Sequence, residues 1–120
     1  MITKYTKIEL NERMNVLKTS LIFNSLDNVK LNSLASGLIV CTFKKGEIIL
    51  YQGDNGQSIF IIKSGLVKWY KDQKEIRVLG PKDYFGEGSL LFNMNRTMSV
   101  HVEESTECYL LSESFLIDTL

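Results

Sequence analysis

The stretch Phe85–Val100, FGEGSLLFNMNRTMSV, places glycines, a carboxylate and an arginine in one loop between two segments that look like strands. The planar guanidinium of Arg96 matches the geometry of phosphate oxygens. Free backbone N–H groups at the start of a short helix would add a positive pole for the same anion. Glu87 cannot hold a phosphate, but its carboxylate can accept a hydrogen bond from a ribose hydroxyl. The loop therefore predicts a site for a nucleotide monophosphate.

This loop resembles the phosphate-binding cassette of cyclic nucleotide-binding domains, whose pattern is F-G-E-x-[AS]-L, a spacer and then R-[AT]-x-[ST]-V. Two further segments resemble the same family. Tyr51–Gly65 is similar to its glycine-marked strand–turn–strand, and Glu75–Tyr84 is similar to the usual approach to the cassette. The resemblance extends from about Leu17 to Leu120, which is most of the chain.

The resemblance implies a role for each cassette residue. Gly86 would allow close approach of the backbone, and Glu87 would accept a hydrogen bond from the ribose 2′-hydroxyl. Gly88 and Ser89 would direct backbone N–H groups at the cyclic phosphate, and Arg96 would pair with its single negative charge. The ligand implied by the resemblance is cGMP or cAMP. No catalytic residue, metal ligand or cofactor is expected in this part of the protein.

Thr97 is the position that separates the two ligands in this family. A hydroxyl there can reach the phosphate and the amino group of a syn guanine, whereas cAMP-binding members usually carry alanine. The Arg96–Thr97 pair therefore resembles the regulatory domains of cGMP-dependent protein kinases, and the asparagine- and lysine-rich composition is typical of apicomplexan parasites. Two departures are Asn95, where the family often has proline, and Met98, where it has a smaller residue.

Composition agrees with one ordinary globular domain. The chain has 120 residues, 44% hydrophobic and 23% charged, which is enough to bury a core. Formal net charge is zero, so no electrostatic field favours a polyanion. There is no apolar run long enough to span a membrane and no signal-peptide pattern, so we expect a cytoplasmic protein. Cys41 and Cys108 lack metal-ligand spacing and are expected to be buried, reduced thiols.

Helices are predicted at the ends of the chain and strands between them. Ser25 or Asp27 can cap the second of two N-terminal helices. The apolar residues at helical spacing are Leu10, Met14, Leu17 and Leu21 in the first helix, over Lys7–Thr19, and Leu31, Leu34, Ala35 and Leu38 in the second. A last helix is expected from Ser112, with Phe115 and Leu120 on its inner face.

Between the helices the apolar period shortens to two, and turn signals separate short segments. The predicted strands are Ile39–Phe43, Glu47–Tyr51, Ser58–Lys63, Leu66–Lys71, Glu75–Leu79, Met98–Glu103 and Glu107–Leu111. Short strands of this kind favour an antiparallel β jelly roll or sandwich. We therefore expect a single, mainly β domain over residues 1–120. It would have N-terminal helices over 1–38, a jelly roll over 39–111 with the cassette and its short helix at 85–100, and the start of a C-terminal helix over 112–120.

The expected function is a cyclic nucleotide-sensing module that relieves inhibition of a kinase. Its partners would be the nucleotide, the kinase catalytic domain and neighbouring cyclic nucleotide-binding domains. The fragment itself would not be an enzyme, whereas the full-length protein would be a cGMP-dependent serine/threonine kinase. Alternatives are a cAMP-sensing domain of a kinase regulatory subunit or of a bacterial transcription factor, and a copy of the domain that does not bind.

Two further alternatives have little support in the residues. His101 is the only histidine, which disfavours a metal-dependent jelly-roll enzyme because such sites normally use two or three. Nucleic-acid binding is disfavoured because basic residues alternate along the predicted strands, as expected for solvent faces; they are Lys63, Lys68, Lys71, Lys74 and Arg77.

Overall fold

The computed structural model describes residues 6–87 and 95–119. Three helices and six strands lie in this part of the chain. They are α1 (Lys7–Thr19), α2 (Asn28–Gly37), β1 (Ile39–Phe43), β2 (Ile48–Leu50), β3 (Ser58–Lys71), β4 (Lys74–Leu79), β5 (Tyr84–Phe85), β6 (Ser99–Ser112) and α3 (Glu113–Thr119). All strand pairs are antiparallel. The predicted class, antiparallel β with flanking helices, is therefore confirmed. The prediction of a short helix in the cassette falls on residues that include 88–94, which lie outside the described part of the chain.

The register divides the sheet into two halves that share the long strands β3 and β6. In one half, the order is β1, the end of β6, the start of β3 and then β5. In the other, it is β2, the start of β6, the end of β3 and then β4. The register shifts where the halves meet, between Ile62 and Val67. Such irregularities bend paired strands, so one connected sheet can form the two layers of a sandwich.

Two predicted breaks between strands were wrong, one at Gly65 and one at 104–106, because a single strand continues through each. Gly65 has φ 105°, but the chain continues as a single strand through it. A side chain at Gly65 would collide with Thr106 on β6, whose hydroxyl accepts a hydrogen bond from the Leu66 N–H at 3.1 Å. The glycine therefore makes a bulge in two long strands that bend together, and it does not reverse the chain.

Apolar side chains form two clusters on opposite faces of the first half of the sheet. Ile59 and Ile61 pack with the helices, around Leu17, Leu34 and Leu38. Phe60 and Ile62 pack with the other half of the sheet, within the sandwich. Both faces of this part of β3 are therefore covered, which explains why four consecutive residues are buried.

The N-terminal helices begin where the sequence predicts. Thr6 and Glu9 form a reciprocal capping box at α1, and Asp27, not Ser25, caps α2 by accepting from the Lys30 N–H at 2.8 Å. The predicted apolar stripe of α1 is correct up to Leu17. Leu21 lies beyond the end of the helix and is 79% exposed, so its assignment to the buried face was wrong.

Arg13 connects α1 to α2, a role that was not predicted from the sequence. Its side chain is buried, and its Nη1 donates to the carbonyl of Ala35 at 3.0 Å and to that of Leu38 at 2.5 Å. Carbonyls at the end of a helix lack partners within the helix. Its guanidinium also lies 5.3 Å from the centre of the Tyr109 ring. Arg13 therefore holds α1, the end of α2 and β6 together.

The last helix, α3, packs against the end of α2. Leu116 is buried, and the Phe115 ring occupies the space where a side chain of Gly37 would lie. Leu120, the other predicted inner residue, lies outside the described residues. Within those residues, no helix is both long and apolar enough to cross a membrane.

Candidate functional site

A cavity of about 190 Å³ opens beside the two ends of the predicted cassette. Its walls include Trp69, Gly86, Glu87, Arg96, Thr97 and Met98. The cavity lies at the end of the sandwich interior. Phe85 and Val100 also line it, and both belong to the cluster around Phe60 and Ile62 within the sandwich, called the inner cluster below. The Phe85 ring stacks on Phe60 with 5.2 Å between ring centres, which fixes the chain just before Gly86.

The main chain of Arg96 is fixed by the turn that follows β2. The Gly53 N–H donates to the Arg96 carbonyl, and the Arg96 N–H donates to the Asp54 carbonyl, both at 2.7 Å. The next strand begins at Ser99, whose hydroxyl accepts from the Gln52 N–H at 2.9 Å. The glycine-marked turn thus positions the second end of the cassette.

The Arg96 side chain is buried, with 7% of its surface exposed. Its Nη1 donates to the Gly86 carbonyl at 2.7 Å, and its Nη2 donates to the Ser58 carbonyl at 3.0 Å. A solvated surface arginine is therefore excluded. The guanidinium joins the cassette to the start of β3, and it is held by neutral carbonyl groups.

Two glycines make room for this guanidinium. A side chain at Gly56 would collide with the Cζ and Nε atoms of Arg96. At Gly86, where φ is 92°, an added Cβ would lie 2.7 Å from Nη1 of Arg96 and 2.8 Å from the Ser58 carbonyl oxygen. In this structure, the groups that lie close to the Gly86 backbone are therefore the Arg96 guanidinium and the Ser58 carbonyl.

Burial has the largest effect on the pKa of Arg96. Loss of solvent lowers the pKa of the guanidinium, and the nearby Glu87 carboxylate partly offsets this by raising it. An arginine remains protonated even so. The site therefore presents a positive charge that is partly removed from water, and such a charge interacts strongly with a bound anion.

The structure brings four of the six predicted residues together at the cavity. Glu87 is half-buried, and Thr97 is exposed at the cavity wall. Arg96 and Gly86 are in contact, as described above. Gly88 and Ser89, the predicted sources of backbone N–H groups, lie outside the described residues.

Sequence reasoning missed three contributors to this site: Gly56, Ser58 and Trp69. Ser58 acts through its carbonyl, which any residue would supply, so its identity carried no signal. No role was predicted for Trp69, which is half-buried, lines the cavity and packs on the inner cluster. Its indole Nε1 is buried and has no hydrogen-bond partner among the described residues. Trp69 was detectable in principle, because it is the single tryptophan in a basic strand.

No metal centre is present in the described part of the chain. No group of three or more His, Cys, Asp or Glu side chains there could hold a metal ion. The His101 ring packs against the Tyr70 ring at a tilt of 35°, with 4.3 Å between the ring centres.

Comparisons with known proteins agree with this geometry. The family model described as cyclic nucleotide-binding domain matches residues 40–120. The chain is 31% identical over 114 residues to a cGMP-dependent protein kinase of Plasmodium berghei, covering 94% of this chain and 13% of the kinase. It is 34% identical over 105 residues to a cGMP-dependent protein kinase of Toxoplasma gondii, covering 88% of this chain and 11% of the kinase. The chain thus spans only a small part of these relatives.

Solved structures give the same result for the fold. The regulatory domain of Toxoplasma gondii PKA with cAMP aligns with a TM-score of 0.91 at 25% identity, over 99% of this chain and 47% of that one. A regulatory subunit of a cAMP-independent protein kinase A from Trypanosoma cruzi, bound to guanosine, aligns with a TM-score of 0.92 over 98% of this chain and 42% of that one. Its identity is 18%, so it supports the fold alone.

Proposed function

The chain belongs to the cyclic nucleotide-binding domain family, and we propose that it binds a cyclic nucleotide, preferably cGMP, as a regulatory module of a protein kinase. The observation that carries this proposal is the buried guanidinium of Arg96 at the wall of the cavity, with Glu87 and Thr97 on the same cavity. One cation, one carboxylate and one hydroxyl correspond to the phosphate, the ribose and the base of one small ligand.

The phosphate would bind to Arg96. A guanidinium has five N–H donors, and the carbonyls of Gly86 and Ser58 occupy two of them. The remaining donors can point to a phosphodiester, whose single negative charge balances that of the arginine. Backbone N–H groups of Gly88 and Ser89 would add donors to the same phosphate, as the family resemblance implies.

The ribose would bind to Glu87. Its ionised carboxylate accepts hydrogen bonds only, so it favours a hydroxyl and repels a phosphate. We therefore expect Glu87→Ala to weaken binding of cGMP by about 1–3 kcal/mol and to abolish the preference over 2′-deoxy-cGMP. A calorimetric titration of both ligands against both proteins isolates this hydrogen bond. Equal losses for the two ligands would show that Glu87 does not contact the sugar.

The base would lie between Thr97 and the apolar part of the cavity. A Thr97 hydroxyl can accept from the guanine amino group, which adenine lacks. A second candidate ligand is cAMP, because the chain is also 34% identical over 89 residues to a cAMP-dependent protein kinase type II regulatory subunit of Drosophila melanogaster. The Thr97 side chain is what favours cGMP in this proposal.

In the full-length protein, ligand binding would shift the population of conformations and release an inhibited kinase catalytic domain, in the cytoplasm. Neighbouring cyclic nucleotide-binding domains would take part in this shift. Kinases among the relatives support this setting, since several cGMP-dependent protein kinases match most of this chain.

Isothermal titration calorimetry of the chain with cGMP, cAMP and 5′-GMP tests the proposal. We expect saturable binding of cGMP, weaker binding of cAMP and much weaker binding of 5′-GMP, because the open phosphate carries additional charge beside Glu87. Absence of heat with both cyclic nucleotides at millimolar concentration would overturn the proposal and favour a copy that does not bind. Equal affinity for 5′-GMP would show that the cyclic phosphate is not recognised.

A further inference from the structure

The two cysteines of the chain are directly opposite each other on neighbouring strands. In the antiparallel pair of β1 and β6, Cys41 is the register partner of Cys108. The two cysteines are far apart in sequence, yet their side chains lie on one face of the sheet. Ile62 on β3 is the next residue in the same row, because it is the other register partner of Cys108. Both are free thiols in this structure.

Opposed positions in an antiparallel pair suit a disulfide. Their Cα atoms are about 4.5 or 5.5 Å apart, depending on the hydrogen-bonding class of the pair. A disulfide accepts Cα separations of about 4.4–6.8 Å. Both classes lie inside this range, so the bond requires rotation of the two side chains and little movement of the backbone.

The two thiols differ in their access to solvent. Cys108 is 0% exposed within the inner cluster, whereas Cys41 is half-buried on β1. The expectation that both are buried was therefore wrong for Cys41. In the described part of the chain, β1 pairs only with β6 and forms one edge of the sheet. Cys41 is on this edge strand, so a small reagent can reach it from the open side of the sheet. Cys108 is on the next strand inward.

We propose that Cys41 and Cys108 form a reversible cross-strand disulfide, a modification site that joins the edge strand β1 to the central strand β6. The oxidant would be a small-molecule disulfide. The Cys41 thiolate attacks one sulfur of this disulfide and releases one thiol, leaving a mixed disulfide on Cys41. Cys108 then gives up its proton, attacks the Cys41 sulfur and expels the second thiol. One disulfide is reduced to two thiols, and two protein thiols are oxidised to one disulfide.

Burial supports this order of attack. It raises the pKa of the Cys108 thiol to about 12, with a smaller contribution from Cys41. Cys108 is therefore a poor first nucleophile, because the thiolate is the reactive species. Attack on a mixed disulfide held next to it is intramolecular and proceeds despite a small thiolate fraction.

Oxidised glutathione, followed by mass spectrometry of the intact chain and of its peptides, tests this proposal. We expect the wild-type chain to lose two hydrogens and to yield a Cys41–Cys108 cross-linked peptide that dithiothreitol separates. The Cys108→Ser variant should stop with one glutathione on Cys41, and the Cys41→Ser variant should remain unmodified. Thermal unfolding of the oxidised chain should shift upward by on the order of 10 °C, since the bond closes a long loop.

Several outcomes would overturn the proposal. These are a stable glutathione adduct on wild-type Cys41, modification of Cys108 in the Cys41→Ser variant, and disulfides formed only between chains. If Cys108→Ser fails to fold, the cross-linked peptide of the wild-type chain still tests the proposal. Cys108→Ala then replaces the serine variant, because it keeps an apolar side chain at this buried position. None of these measurements uses a nucleotide, so their failure is distinct from failure of the proposed function.

Discussion

Arg96 has two tasks at the residue scale. It crosslinks the cassette to β3 through the Gly86 and Ser58 carbonyls, and in our proposal it also binds the phosphate. The sequence predicted the second task, because the spacing from glycine to arginine matches the motif. It did not predict the first, because Ser58 lies 38 positions away and contributes a main-chain oxygen. Arg96 therefore stabilises the fold as well as lining the cavity.

We predict that Arg96→Ala weakens cGMP binding by about 2–5 kcal/mol, as for other truncated charge pairs. Arg96→Lys should restore only part of this, since a point charge cannot reproduce two directed bonds. The alanine variant should also lose about 1–3 kcal/mol of unfolding free energy, because two carbonyls lose their partner. Calorimetry and urea unfolding measure the two effects separately.

Arg77→Ala is the matched control, because Arg77 is exposed on β4. It should leave both affinity and stability unchanged. The assignment of the phosphate site is wrong if folded Arg96→Ala binds cGMP as tightly as the wild-type chain does.

Thr97 is expected to set ligand preference. Its hydroxyl adds one hydrogen bond to cGMP that cAMP cannot form, worth about 0.5–1.5 kcal/mol, or roughly a two- to tenfold preference. Thr97→Ala should lower cGMP affinity, leave cAMP affinity nearly unchanged and alter stability by less than about 0.5 kcal/mol, since the residue is exposed. Thr42→Ala, at an exposed threonine on β1, provides the control. An unchanged ratio of the two affinities would exclude recognition of the base by this hydroxyl.

At the scale of elements, helices were predicted better than strands. Periodicity placed α1 at Lys7–Thr19, and Asp27 was one of the two caps predicted for α2, because both signals are local. The break predicted at Gly65 failed because a glycine with positive φ serves both turns and bulges, and the partner strand decides between them. The two-residue strand β5 is too short to leave a period in the sequence.

Gly37 decides how closely α3 packs on α2. Gly37→Ala should reduce the free energy of unfolding by about 1–2 kcal/mol, because the new methyl group collides with the Phe115 ring and the gain in helix propensity offsets only part of this. Urea unfolding measures the difference. Asn32→Ala, at an exposed position of α2, should be neutral or stabilising. A Gly37→Ala chain at least as stable as the wild type would show that α3 does not pack there.

At the scale of the whole molecule, one continuous sheet both builds the core and positions the site. The first half of β3 supports the helices, the second half carries Trp69 to the cavity, and the start of β6 follows directly after Arg96 and Thr97. The family and the sandwich were predictable because the motif and the apolar periodicity are properties of continuous stretches of sequence. The shape of the cavity was not, because it depends on β3, β5 and β6 meeting at one end.

The central claim is that the cavity beside Arg96 is the cyclic nucleotide site. Trp69 lines that cavity and is the single tryptophan, so its indole N–H gives one unambiguous NMR resonance. Titration with cGMP should move this resonance with the same dissociation constant that calorimetry gives, and Arg96→Ala should show no movement at the same concentrations. Calorimetric saturation of the wild-type chain with an unmoved Trp69 resonance would mean that the nucleotide binds elsewhere, and it would contradict the account.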